Sequence, residues 1–130
     1  MTPKEIVLQF YNSDLANSTE VIDTCFDKNC QLHWHSSKGF NILDFNTFKA
    51  VFNEIRENYD ALRFEFSHIL QEGNSVTVRY TSYACTIENP NEEHALAHFT
   101  SIWEVKNGKI IKGYQMSQLA DDSAASLNSF

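Results

Sequence analysis

A chain of 130 residues that is 42% hydrophobic and 13% aromatic is long and apolar enough to build one globular domain with a real core. Its net charge of −7 and its 10 scattered Lys and Arg residues argue against a nucleic-acid partner. Three cysteines (Cys25, Cys30 and Cys85) with no Cys-x-x-Cys pair imply neither a disulfide framework nor a zinc ribbon, and they read as free thiols in a reducing compartment. The start, Met1-Thr2-Pro3-Lys4-Glu5, has no signal-peptide core, and no apolar run approaches the roughly 18 residues that span a bilayer. A cytoplasmic location is the resulting expectation.

Thr2 before Pro3 opens a helix, with a hydroxyl cap and a proline at the first helical position. Ile6, Val7, Phe10, Tyr11 and Leu15 follow at helical spacing. Thr19 caps a short second helix whose Val21, Ile22, Cys25 and Phe26 face inward, and Asp27-Lys28-Asn29 reads as a turn. Cys30 to His35 alternates as a strand, with Cys30, Leu32 and Trp34 on one face and Gln31, His33 and His35 on the other. Ser36-Ser37-Lys38-Gly39 ends that strand, and Asn41 to Leu43 is a connector. The spacing of Phe48, Val51, Phe52, Ile55 and Tyr59 predicts a helix over Asp44–Asp60, with its rings in the core.

Four strands follow. The first runs from Leu62 to Leu70. In the second, Val76, Val78, Tyr80, Ser82 and Ala84 share one face, opposite Thr77, Arg79, Thr81, Tyr83 and Cys85. Pro90, in the link 87–93, has no N–H for a strand ladder. The third strand alternates Ala95, Ala97, Phe99, Ser101, Trp103 and Val105 with Leu96, His98, Thr100, Ile102 and Glu104. Asn107-Gly108 is a hairpin turn leading to the fourth. Both faces of these strands carry apolar residues, so both are expected to be covered. Residues 1–120 form the domain, and residues 121–130 read as a loose tail. Helices first and antiparallel strands after predict an α+β layered fold, its curved sheet wrapped around three helices from the N-terminal half.

Four stretches carry a family resemblance: Phe26-Asp27-Lys28-Asn29 leading to Leu32-His33-Trp34-His35; the helix from Asp44 leading into Leu62-Arg63-Phe64-Glu65-Phe66; Glu72-Gly73-Asn74-Ser75 with the strand to Tyr80; and Ile102-Trp103-Glu104-Val105-Lys106-Asn107-Gly108-Lys109-Ile110. Together they resemble the nuclear-transport-factor-2-like superfamily, in its SnoaL-like polyketide-cyclase and ketosteroid-isomerase-like branch. The resemblance implies a cone-shaped single domain, of the cystatin-like α+β barrel kind, with a pocket between the concave sheet face and the helices. It places Ala97, Phe99, Ser101, Trp103, Ile111, Gly113 and Gln115 toward the pocket. It also implies a homodimer through the other sheet face, with Leu96, His98, Thr100, Ile102, Tyr114 and Met116 toward the partner. Cyclases of this kind often carry a histidine and an acid where this chain has Gly113 and Gln115. Ketosteroid isomerases place acids about where Ser101 and Trp34 fall. Neither set is present here, and a shared fold does not imply a shared reaction.

The candidate ligand-binding residues are Tyr11, Trp34, Phe52, Phe99, Ser101, Trp103 and Gln115. His35 and His33 are the candidate general bases, since imidazole titrates near neutrality. A metal held by the same two histidines would need a third ligand from His68, His94 or His98, and no spacing brings one in. Tyr11 either donates to a ligand oxygen or is a core tyrosine bonded within the protein. Arg79 either meets a substrate carboxylate or pairs with Glu65. The expected function is binding of a small, largely apolar molecule, with cofactor-free isomerase, cyclase or hydratase chemistry if a pocket histidine serves as base. The alternative is a non-catalytic binding or dimerisation module.

Overall fold

The computed structural model describes residues 1–130. Helix α1 spans Pro3–Tyr11. Its capping box is complete: Thr2 Oγ1 accepts from the Glu5 N–H at 3.1 Å, and Glu5 Oε1 accepts from the Thr2 N–H at 2.9 Å. Helix α2 follows at Glu20–Cys25, and strand β1 runs from Phe26 to Ser36. The turn expected at Asp27–Asn29 lies within β1, as an irregularity between Phe26 and Gln31. The expected connector is a strand, β2 (Gly39–Asp44), which pairs antiparallel with β1. Gly39 sits at φ +108°, a conformation that closes this hairpin and that side-chain-bearing residues rarely adopt.

Helix α3 spans Phe45–Asn58, and Asp44 caps it by accepting from the Thr47 N–H at 2.8 Å. It ends before Tyr59, which already has strand dihedrals and begins β3 (Tyr59–Glu72). Strands β4 (Ser75–Thr86), β5 (Glu93–Lys106) and β6 (Lys109–Leu119) complete one sheet in the order β2-β1-β6-β5-β4-β3. Every pairing is antiparallel except β1 with β6, where the chain returns to the sheet centre beside its first strand.

The three N-terminal helices pack on one face of this sheet. Phe10 of α1 meets the rings of Phe26, Phe48, Phe52 and Trp103 at 4.9–6.2 Å, mostly edge-on. Edge-to-face pairs contribute about 0.5–1.5 kcal/mol each beyond area burial. Val76, Val78, Tyr80, Ser82 and Ala84 all point into this interior, following the alternation read from the sequence. Two bulges alter that alternation elsewhere. One, between Ser82 and Tyr83, turns Leu96 inward. The other, between Glu104 and Val105, puts Ile110 in the core and leaves Ile111 half-buried. A bulge inserts one unpaired residue and so reverses the facing of the residues beyond it.

The last ten residues, expected to be loose, contain helix α4 (Ala124–Ser129). Phe130 lies against the outer sheet face, its ring 4.4 Å from the His98 imidazole and under the Arg79 guanidinium at 3.7 Å. Arg79 Nη1 also donates to the Phe130 carbonyl at 2.7 Å. Glu65, one expected partner of Arg79, pairs instead with Arg63 at 3.0 Å, and Arg79 donates to Ser67 and Phe130.

Gly113 is buried where β6 passes beneath Trp103. An added methyl there would overlap Trp103 Cζ3 and lie 2.6 Å from Cε3 and 2.9 Å from Leu32 Cδ1. Gly113→Ala is expected to destabilise the protein by roughly 1–3 kcal/mol through overpacking, read as a lower urea midpoint.

Candidate ligand cavity

A cavity of about 450 Å³ lies between the sheet and helices α1 and α3. The stripe of α3 (Phe48, Val51, Phe52 and Ile55) forms one wall, and Tyr59, Leu62 and Phe64 at the start of β3 extend it. Phe10 and Tyr11 of α1 close one side. From the sheet come Trp34, Tyr80, Ser82, Ala97, Phe99, Trp103, Gln115 and Ser117. Sixteen of the 22 lining residues are hydrophobic, the composition of a small-molecule site. Tyr80 and Phe99 stack at 4.9 Å with an 11° interplanar angle, so the sheet wall is partly a flat aromatic surface.

The few polar groups are hydrogen-bonded mainly to one another. Trp103 Nε1 donates to the Tyr11 hydroxyl at 2.9 Å, and Tyr11 donates to the Tyr80 hydroxyl at 3.3 Å. Ser101 Oγ donates to Gln115 Oε1 at 2.8 Å. Trp34 Nε1 donates to Ser117 Oγ at 2.8 Å. These bonds leave the Gln115 N–H groups as donors without a protein acceptor, whereas the Tyr80 hydroxyl also meets Ser101. Burial pushes the Tyr11 phenol up to about 12 against the pull of its hydrogen bonds to Tyr80, Trp103 and Ser101. Burial also raises Tyr80 well above the ordinary phenol range, and the neighbouring Tyr11 adds to the shift. Both are therefore neutral proton donors at physiological pH.

Of the seven binding residues expected from sequence, Tyr11, Trp34, Phe52, Phe99, Trp103 and Gln115 line this cavity. Ser101 is fully buried beside the lining and positions the Gln115 carbonyl oxygen. Gly113, also expected inward, is buried under Trp103 away from the cavity. His33 and His35 do not reach the cavity, which corrects their expected role as pocket bases. They alternate with Trp34 on β1, so an inward Trp34 sends both imidazoles to the outer face. There His33 lies 5.6 Å from Tyr114, and His35 lies 4.5 Å from Phe40. No histidine, aspartate or glutamate lines the cavity. No three His, Cys, Asp or Glu side chains gather into a metal-binding cluster.

Sequence reasoning missed Ser36, Ser37 and Lys38, which reach the lining because β2 folds the hairpin turn over the rim. It also missed Leu96, which the bulge turns inward. Val51 and Ile55 were legible in the helical stripe but read as core.

A curved six-stranded sheet closing an apolar cavity against N-terminal helices defines a cone-shaped α+β protein of the nuclear-transport-factor-2-like class. Residues 7–113 match the model of the SnoaL-like domain, and the chain belongs to that family. The candidate polyketide cyclase IdmH from Streptomyces antibioticus is similar in structure, with a TM-score of 0.74 at 13% identity, covering 98% of this chain and 97% of that one. A candidate polyketide cyclase from Acidithiobacillus ferrooxidans gives 0.68 at 14% identity, covering 98% and 92%. A Catenulispora acidiphila protein of ketosteroid-isomerase-like fold, solved with trimethylamine, gives 0.65 at 14% identity, covering 99% and 92%. At these identities the likeness concerns the fold. No curated protein matches the chain. No helix is long and apolar enough to cross a membrane.

The tyrosine pair ties the cavity to stability at high pH. The folded pKa of Tyr11 is raised from 10.0 to about 12, so its contribution is complete below pH 10 and is lost as pH rises toward 12. Tyr11→Phe removes this titration and strands the buried Trp103 N–H. Urea unfolding at stepped pH is expected to show a loss of about 1–3 kcal/mol at neutral pH and a shallower decline above pH 10.

Proposed function

We propose that the protein binds a small, largely apolar molecule in the cavity between the sheet and helices α1 and α3. The observation that carries this reading is the cavity itself: about 450 Å³, walled by rings and aliphatic side chains. Its unpaired inner polar groups are donors, the Gln115 N–H groups. They suit a ligand whose buried end presents an acceptor oxygen, such as a carbonyl. With no carboxylate or imidazole in the lining, binding is favoured over proton abstraction by the protein.

A second reading, cofactor-free isomerase, cyclase or hydratase chemistry, is favoured by one observation. The Tyr11–Tyr80 pair supplies neutral phenols that would stabilise negative charge on a ligand oxygen. The base would then come from the substrate or water.

N-phenyl-1-naphthylamine, an uncharged dye that fluoresces in apolar surroundings, tests the cavity. Saturable binding at one dye per chain is expected. Ala97→Phe, which fills the lumen, should weaken it roughly tenfold, and Ser82→Leu provides a second filled variant if the first folds poorly. Unchanged dye binding in a folded, filled variant would overturn the reading.

The proposal includes a homodimer through the outer sheet face. Two cross-strand rows support it. Ile102, Tyr114, His33 and Ile42 align across β5, β6, β1 and β2, as do Thr100, Met116, His35 and Phe40. Ile102, Ile42 and Met116 are 40%, 54% and 66% exposed, and His33 Nε2 is buried without a hydrogen-bond partner. An exposed apolar stripe of this kind is a usual mark of an interface. Sedimentation equilibrium is expected to give twice the 15.0 kDa chain mass, and Met116→Glu should shift the protein toward monomer. A wild-type monomer at micromolar concentration would end this part of the reading.

A further inference from the structure

We propose that the ligand is an amphiphile with an acidic, carboxylate-type head, held at the cavity mouth by Lys38 while its apolar body fills the interior. The inference rests on the reading of the cavity as a ligand site and adds the charge and the orientation of what enters it.

Three lining residues are exposed and therefore mark the mouth: Ser37, Lys38 and Leu119. Ser37 and Lys38 form the β1–β2 turn, and this turn is held in place. Ser36 Oγ accepts from the Lys38 N–H at 3.1 Å and donates to the Gly39 carbonyl at 3.4 Å, while Gly39 takes the φ of +108°. The backbone under Lys38 is thus set, and its stem is long enough to carry the ammonium over the rim. No carboxylate lies within salt-bridge distance of Lys38, whereas Lys49 and Arg63 are both paired. The Ser37 hydroxyl has no protein partner either, so a cation and a free hydroxyl stand together at the opening.

Lys38 is the only charged side chain in the lining. The inner donors are neutral, so an anionic group driven to the bottom would lose its hydration without a counter-charge. At the mouth the same group keeps part of its water and gains Lys38. The third exposed lining residue, Leu119, is apolar. Polarity at the mouth is therefore one-sided, as an amphiphile with a single head group requires. The chain's net charge of −7 repels anions in general, so a preference for one would have to arise locally.

The test uses N-phenyl-1-naphthylamine as reporter, with dodecanoate and dodecanol, below micellar concentration, as competitors that differ in their head group. Wild type is expected to release the dye at roughly three- to fivefold lower dodecanoate than dodecanol, the scale of a partly exposed ion pair. Lys38→Gln should abolish the difference by weakening dodecanoate alone, Lys38→Arg should keep it, and raised salt should shrink it. Lys38 is an exposed turn residue, so these variants should fold. Equal competition by the two in wild type, or an unchanged preference in Lys38→Gln, would overturn the head-group proposal while leaving the cavity reading intact. If neither competitor displaces the dye, or Ala97→Phe leaves dye binding unchanged, the cavity reading fails first and the head-group proposal with it.

Discussion

The indole of Trp103 holds the two layers of the molecule together. It is the largest of the fully buried side chains, and it projects from β5 into the space beneath α1. Its N–H finds its acceptor on the helix, at the Tyr11 hydroxyl, so one buried hydrogen bond sets how far α1 stands from the sheet. Its ring lies over Gly113 on the neighbouring strand, where a side chain would collide with it. A buried indole without an acceptor costs about 1–3 kcal/mol, and an indole over a β-carbon has no room. Tyr11, Trp103 and Gly113 are therefore one constraint distributed over three elements.

That constraint also shapes the cavity. Once Trp103 fixes α1, the tyrosine hydroxyl is taken up by Trp103 and Tyr80 and does not point freely into the lumen. The polar end of the cavity becomes a chain, Trp103 to Tyr11 to Tyr80, with Ser101 beside the two tyrosines. Gln115 is arranged in the same way, with Ser101 occupying its carbonyl oxygen and leaving its N–H groups. Both arrangements tie the inner polar groups to the protein's own framework.

Strand alternation sorts the remaining chemistry. On β1 it sends Trp34 inward and His33 and His35 outward, separating the imidazoles from the cavity between sheet and helices. On β4 it sends Tyr80 inward and Arg79 outward, where the guanidinium covers the Phe130 ring. The outer face is thus not a passive back wall. Over β4 and β5 it is covered by the C-terminal residues, and over β5, β6, β1 and β2 it presents the apolar rows.

The Thr2 cap of α1, the α3 stripe, the four long strands and the Asn107-Gly108 turn were legible because each is set by residues a few positions apart, whereas Thr19 makes no capping bond to α2. The same local periodicity put Trp34, Phe99, Trp103 and Gln115 on one face, and it already held His33 and His35 on the other. Their use as bases did not follow from their own strand. Three things required the tertiary structure. Bulges depend on how two strands meet, so the facing of Leu96, Ile110 and Ile111 could not be read along one strand. The β1–β2 hairpin brings Lys38 to the rim only because β2 pairs back on β1, against a local sequence that reads as a connector. The docking of Phe130 depends on Arg79 and His98, which are far away in sequence and adjacent only across the sheet. Short-range periodicity decides which way a side chain points, and only long-range pairing decides what it points at.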